Sequence, residues 1–160
     1  MLQIIAKGKN VMDDIRELFQ TMTRRFGFLN KNCCSIIDME ISAIHSHILY
    51  EVERRNKPSM QEVADSLGTD ITTFSRQVQK LIKIGLLVKQ SHEKDRRVQL
   101  LSLTKKGKEV ALTIDQQMRD RLQEIFSYMS EEEREKVVEG MKILNHSLVK
   151  STFCCQTNHL

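Results

Sequence analysis

Apolar residues recur at intervals of three and four along both flanks of the chain, whereas the middle sets short apolar runs between polar punctuation. Val11, Ile15, Leu18, Phe19, Met22 and Phe26 share one stripe of a first helix, which Gly27 and the polar Asn30-Lys31-Asn32 break. Ile37, Ile41, Ile44, Ile48 and Val52 mark a second helix. It ends in Arg54-Arg55-Asn56-Lys57 before Pro58, whose ring disfavours right-handed helical backbone at Lys57.

The middle reads as two short helices, a turn and a hairpin. Ser59 and Glu62 have capping-box spacing at the start of a helix bearing Met60, Val63, Ala64 and Leu67. Gly68 stops that helix, Thr69 or Asp70 caps the next, and Ile71, Phe74, Val78, Leu81 and Ile82 give the next its buried side until Gly85 closes it. Residues 86–90 and 98–103 are apolar runs containing β-branched residues, and they flank the charged tip Ser91-His92-Glu93-Lys94-Asp95-Arg96-Arg97. Thr104 then caps a long helix with Val110, Ala111, Ile114, Met118, Leu122, Ile125 and Phe126 on its apolar side, running to about Tyr128. A second capping box, Ser130 and Glu133, opens a last helix with Val137, Met141, Leu144 and Leu148.

These elements predict a mainly α fold with a small β-wing, a winged helix-turn-helix. Residues 1–36 form an N-terminal dimerisation helix and loop, 37–104 the DNA-binding region, and 105–160 the long helix, a C-terminal dimerisation helix and a tail. A small winged module cannot cover the apolar stripes of the first helix and the last two, so the chain is expected to form a twofold dimer through its N- and C-terminal helices.

Charge sharpens this picture. From Arg76 to Lys108 the chain carries ten basic and two acidic residues, whereas the 160-residue whole has a net charge of only +4, so the remainder is net acidic. Segregation of this kind suits a polyphosphate, because each Lys or Arg placed on a phosphate releases condensed counterions. The outward side of the second middle helix holds Thr72, Thr73, Ser75, Arg76, Gln79, Lys80 and Lys83, donors and acceptors of the kinds that pair with base edges and phosphates. At the hairpin tip, Arg96 and Arg97 can enter a narrow minor groove while Asp95 pairs with an arginine and holds the loop in shape. The expected partner is double-stranded DNA.

Other classes fit less well. An enzyme would need Cys33 or Cys34 as nucleophile with His45 or His47 as base, but no orienting third residue and no glycine-rich phosphate loop can be named. No catalytic residue and no required cofactor are expected. A winged-helix module that binds protein instead of DNA stays open, and it would tolerate loss of Arg97 and show no steep salt dependence in nucleic-acid binding. No apolar run approaches the roughly 18 residues that span a bilayer, and a cytoplasmic protein without membrane contact is expected.

The wing and the helix before it carry a resemblance to a known family. Asp95-Arg96-Arg97-Val98-Gln99-Leu100-Leu101-Ser102-Leu103-Thr104-Lys105-Lys106-Gly107 resembles the Asp-x-Arg run, strand and Leu-Thr-x-x-Gly helix start of the MarR family of bacterial winged-helix regulators. Ile71 to Arg76 and Leu81 to Leu87 are similar to that family's recognition helix and its Gly-Leu turn into the wing. The resemblance implies a homodimer on a short palindromic operator, with one recognition helix in each of two successive major grooves and repression by steric blockage. It also implies release by a small inducer: a phenolic or lipophilic ligand, a metal ion or an oxidant.

Four cysteines in two adjacent pairs distinguish this chain from a generic member. Cys33 and Cys34 lie between the first two helices, near the region where the family's ligand crevice is usually found. Cys154 and Cys155 lie in a polar tail that could reach the dimerisation region. Thiolates are soft ligands, so the pairs could serve as sensor for a soft metal or metalloid ion, or for an oxidant through disulfide formation. The alternative is inert cysteines beside an ordinary phenolic or lipophilic ligand site. No pair is a CxxC, and the long helix after the wing lacks histidine, which disfavours the zinc sensing known in the family.

Overall fold

A computed structural model describes residues 11–27 and 41–151 of the chain. Its elements in order are α1 (Val11–Phe26), α2 (Ala43–Arg55), α3 (Met60–Ser66), α4 (Ile71–Lys83), β1 (Leu87–Ser91), β2 (Gln99–Leu103), α5 (Lys105–Ser127) and α6 (Glu131–Lys150). The expected mainly α fold with a two-stranded wing is the one observed. The chain divides into two compact units, residues 1–43 and 44–160.

In the first unit, α1 forms where the stripe predicted it, and Ile15, Leu18, Phe19 and Met22 are exposed. Its last turn is basic through Arg24 and Arg25, which suits the negative end of the helix dipole.

The second unit is built on one apolar core. Ile48, Leu49 and Val52 of α2, Val63 and Ala64 of α3, and Phe74, Val78 and Leu81 of α4 are buried. Leu86, Leu87 and Leu101 join them from the hairpin, with Val110 and Ala111 from the start of α5. Between α3 and α4 the chain turns at Gly68, with φ +59°, where the left-handed backbone costs glycine little. Ser59 caps α3 as a complete capping box: the Glu62 amide donates to its Oγ at 3.2 Å and its own amide donates to Glu62 Oε2 at 2.7 Å. Asp70, rather than Thr69, caps α4, accepting from the Thr73 amide at 2.8 Å. Thr104 and Ser130 cap α5 and α6 as their sequence positions indicated.

The hairpin pairs Leu87 with Leu103, Lys89 with Leu101 and Ser91 with Gln99, so β1 lies one residue later than its apolar run and β2 starts one residue later, without Val98. Its inner edge has an extension that the sequence did not signal. Pro58 O accepts from the Leu101 amide at 2.8 Å and Ser59 bridges to Leu100, so the segment entering α3 is pinned to β2 by a single β-bridge beside the two-stranded wing. The turn into it uses left-handed backbone at Asn56 and Lys57, with φ +51° and +62°. That is how Lys57 avoids the right-handed conformation which Pro58 disfavours.

Two expectations need correction. Ile41 and Ser42 are not helical, so α2 starts at Ala43, later than its apolar stripe implied, and Ile37 lies outside the described residues. Periodicity locates a face, whereas a helix start is set by capping, and Ser42 stands where a cap is favoured. Ile71, which its spacing places on the buried side of α4, is exposed, as are Thr72 and Thr73. The core reaches α4 only at Phe74, so a stripe position among the three residues before it finds no core.

α6 offers the strongest contrast with this core. Among the described residues none of its side chains is buried, and Val137, Met141, Leu144 and Leu148 all face solvent in the single chain. α5 leaves the core after its second turn: Val110 and Ala111 are buried, Ile114 is half-buried, and Met118, Leu122 and Ile125 are exposed. No helix among the described residues is long and apolar enough to cross a membrane.

Candidate nucleic-acid interface

α4 presents its polar side as the sequence indicated. Thr72, Thr73, Arg76, Gln79 and Lys80 are exposed, and Ser75 is half-buried at one edge. Placing Phe74, Val78 and Leu81 in the core forces this, because residues about 180° away on a 3.6-residue helix must face outward. The amide of Thr73 is committed to Asp70, whose carboxyl is held below its usual range by hydrogen bonds from Thr73, side chain first and then backbone. That part of the helix N-terminus is therefore already satisfied and offers a phosphate less than a free end would.

The far end of α4 is tied to the start of α5. Thr104 Oγ1 donates to Gly85 O at 2.7 Å while accepting from the Gly107 amide at 2.9 Å, and Lys106 Nζ donates to Ile84 O at 3.2 Å. The Leu-Thr-x-x-Gly pattern has its explanation here: a Cβ on Gly107 would lie 2.0 Å from Leu86 O, so only glycine lets α5 approach the turn out of α4.

The wing tip is organised by Asp95. Its Oδ1 accepts from the Arg97 amide at 3.0 Å and from Arg97 Nε at 3.2 Å, and Oδ2 accepts from Nη2 at 3.4 Å. These bonds, side chain first, hold the Asp95 carboxyl below its usual range. The Arg97 side chain nonetheless remains 93% exposed, so the guanidinium is aimed without being covered. Arg96 is exposed beside it, and its carbonyl accepts from the Gln99 side chain at 2.9 Å. His92 N donates to Val98 O at 2.9 Å and closes the loop.

Residues 39–98, which span the second helix, the helix-turn-helix and the wing tip, match the profile of the MarR family. Over 144 residues, 89% of this chain and 99% of the relative, the chain is 28% identical to YxaD of Bacillus subtilis, described as an uncharacterized HTH-type transcriptional regulator. Its fold is similar to that of Streptococcus pneumoniae FabT in complex with DNA, with a TM-score of 0.77 at 22% identity over 86% of this chain and 96% of that one. It is also similar to that of Staphylococcus aureus MarR in complex with salicylate and kanamycin, with a TM-score of 0.76 at 17% identity over 89% and 95% of the two chains. The family and its curated relatives are transcriptional regulators and not enzymes.

The sensor residues proposed from sequence, Cys33, Cys34, Cys154 and Cys155, lie outside the described residues. Among the described residues no group of three or more His, Cys, Asp and Glu side chains is placed to hold a metal ion. An open groove of about 660 Å³ lies between the end of α5 and α6, lined by Phe126, Arg134, Glu135, Val138, Glu139 and Lys142. Its two cations and two anions balance, so it has no charge preference for a ligand.

Of the paired histidines, His47 is exposed and His45 is packed. His45 Nε2 lies 3.0 Å from Gln77 Oε1 on α4. Burial lowers the His45 pKa below the ordinary histidine value, the Gln77 hydrogen bond opposes this, and the nearby charge of Lys80 adds to the lowering. Gln77 borders the buried stripe and so is missing from the outward face that the sequence defines, and no local signal links it to a residue 32 positions away.

Proposed function

We propose that this chain is a homodimeric DNA-binding repressor acting on a palindromic operator near a detoxification, efflux or stress gene. The observation that carries this reading is the pairing, within one compact unit, of an outward polar α4 face with a wing whose exposed Arg97 is aimed by Asp95. α4 would enter the major groove, with Arg76 and Gln79 on base edges and Lys80 on phosphate, while Arg96 and Arg97 reach the adjacent minor groove. The exposed apolar faces of α5 and α6 support assembly through the terminal helices, since a soluble chain rarely leaves so much contiguous apolar surface uncovered. Two copies related by a twofold axis would then match a palindrome.

Release would follow from an inducer with different affinity for two arrangements of the DNA-binding lobes, and a ~100-fold loss of DNA affinity corresponds to a coupling of about 3 kcal/mol. The paired thiols favour a soft metal, a metalloid or an oxidant as that inducer. A small aromatic acid, the class represented by salicylate in the similar Staphylococcus aureus structure, is the competing inducer.

Gel-shift titration on specific and scrambled duplexes tests the DNA assignment. Arg76→Ala should cost about 1–3 kcal/mol on the specific duplex and relax base discrimination, whereas Arg97→Ala should weaken both duplexes and lower the salt slope by about one. Unchanged affinity in both variants would overturn the reading. For the thiols, Cys33→Ser with Cys34→Ser should leave uninduced DNA binding intact and abolish release by arsenite, a soft metal or peroxide.

A further inference from the structure

We propose that His45 is a positioning residue for base reading: through Gln77 it sets the rotation of α4 about its own axis, and so where Thr73, Arg76 and Lys80 point. The inference rests on the DNA-binding reading above and extends it to a residue that touches no DNA.

Apolar contacts hold α4 against the core along Phe74, Val78 and Leu81, all fully buried. Such contacts are non-directional, so by themselves they fix a helix's rotation only as far as side-chain shape does. Directional ties are needed to do more. At its C-terminal end α4 has them, in the Thr104 and Lys106 bonds to Gly85 and Ile84. In its middle, the bond between His45 and Gln77 supplies one, crossing from the first turn of α2 to α4.

The bond is set in place by burial. His45 is only 5% exposed, in a core otherwise made of aliphatic side chains and Phe74. Gln77 Oε1 is a carbonyl oxygen and can only accept, so Nε2 carries the proton and the ring donates. Rotating α4 would take the acceptor away from a desolvated N–H, which a buried donor resists.

Gln77 also sits where rotation matters. It follows Thr73 by four residues and precedes Lys80 by three, so these three side chains neighbour one another along one edge of α4. Gln77 is half-buried while both neighbours are exposed, which makes it the hinge line between the core side and the reading side. From sequence His45 enters only as a candidate base for a disfavoured enzyme, whereas its partner Gln77 gives it a place in the DNA-binding unit.

The test uses the full-length protein and the duplex that the wild-type protein enriches from a random-sequence pool, with a scrambled duplex beside it. His45→Leu keeps the bulk and removes the donor, Gln77→Met removes the acceptor, and His45→Gln restores a neutral donor near the Nε2 position. His45→Leu and Gln77→Met should each reduce the ratio of specific to scrambled affinity about tenfold, with the double variant no worse than either single one. His45→Gln should recover the ratio to within about twofold, which a purely space-filling role would not require. Thermal unfolding of each variant is measured in parallel, and if His45→Leu fails to fold, Gln77→Met and His45→Gln decide the matter. The proposal is overturned by a wild-type ratio in Gln77→Met, by losses that multiply in the double variant, or by His45→Gln as impaired as Gln77→Met. A wild-type protein that enriches no duplex would instead remove the DNA-binding reading, and this inference with it.

Discussion

The helices of the winged region and α6 are alike as sequences and opposite as structures. α4 and α6 both carry apolar residues at intervals of three and four, both begin at a side-chain cap, and both form over the residues that the pattern marks. Yet Phe74, Val78 and Leu81 are fully buried, whereas Val137, Met141, Leu144 and Leu148 are all exposed. Helix formation is settled locally by capping and propensity, while burial requires a second apolar surface in the right place. For α4 that surface is supplied by α2, α3 and the wing, and for α6 the proposed supplier is another copy of the chain.

Substitutions that behave oppositely in the two regions would break or sharpen this contrast. The largest effect is expected at Gly107, where an added Cβ meets Leu86 O. Gly107→Ala should destabilise the winged region by about 3 kcal/mol or more, because neither backbone can yield without opening the junction of α4, wing and α5. Urea unfolding followed by circular dichroism measures this, and a loss within 0.5 kcal/mol, about what a bland surface change gives, would mean that the close approach does not exist.

An intermediate effect, on association, is expected from Leu144→Glu. A charge on the exposed apolar face of α6 should leave the unfolding of the winged region unaltered while weakening self-association at least about tenfold, as loss of a central interface anchor does. Sedimentation equilibrium reads the outcome. Association equal to wild type would show that the α6 face is not the seam.

The smallest effect carries the opposite sign from the first. Gly140 lies in the middle of α6 with open space where a Cβ would go. Gly140→Ala should therefore stabilise α6 by about 0.5–1 kcal/mol when measured at concentrations where the chain is monomeric. Helix content by circular dichroism during thermal unfolding distinguishes the two glycines directly.

Much of the fold and part of the interface could be read from the residues in order. Ser59 with Glu62, Ser130 with Glu133, and Thr104 before Gly107 mark helix starts because a cap and the amide it satisfies are three positions apart. That Asp95 would pair with an arginine of the tip was legible for a similar reason, and the structure selects Arg97. Ile71 and the start of α2 mark the limit of periodicity, which gives the direction of a face but not the point at which a core ends or a helix begins.

What the sequence determined by itself is therefore the set of elements, their caps, the outward polar face of α4 and the concentration of positive charge around it. All of these depend on neighbours within one or two turns. Only the tertiary structure decided that Pro58 would hydrogen-bond to Leu101, that Gly107 would press against Leu86, and that His45 would take Gln77 as its partner. Such contacts join residues far apart in the chain, and they come into being only when the hydrophobic faces close on one another. No local pattern carries them, because the free energy that selects them belongs to the packed arrangement as a whole.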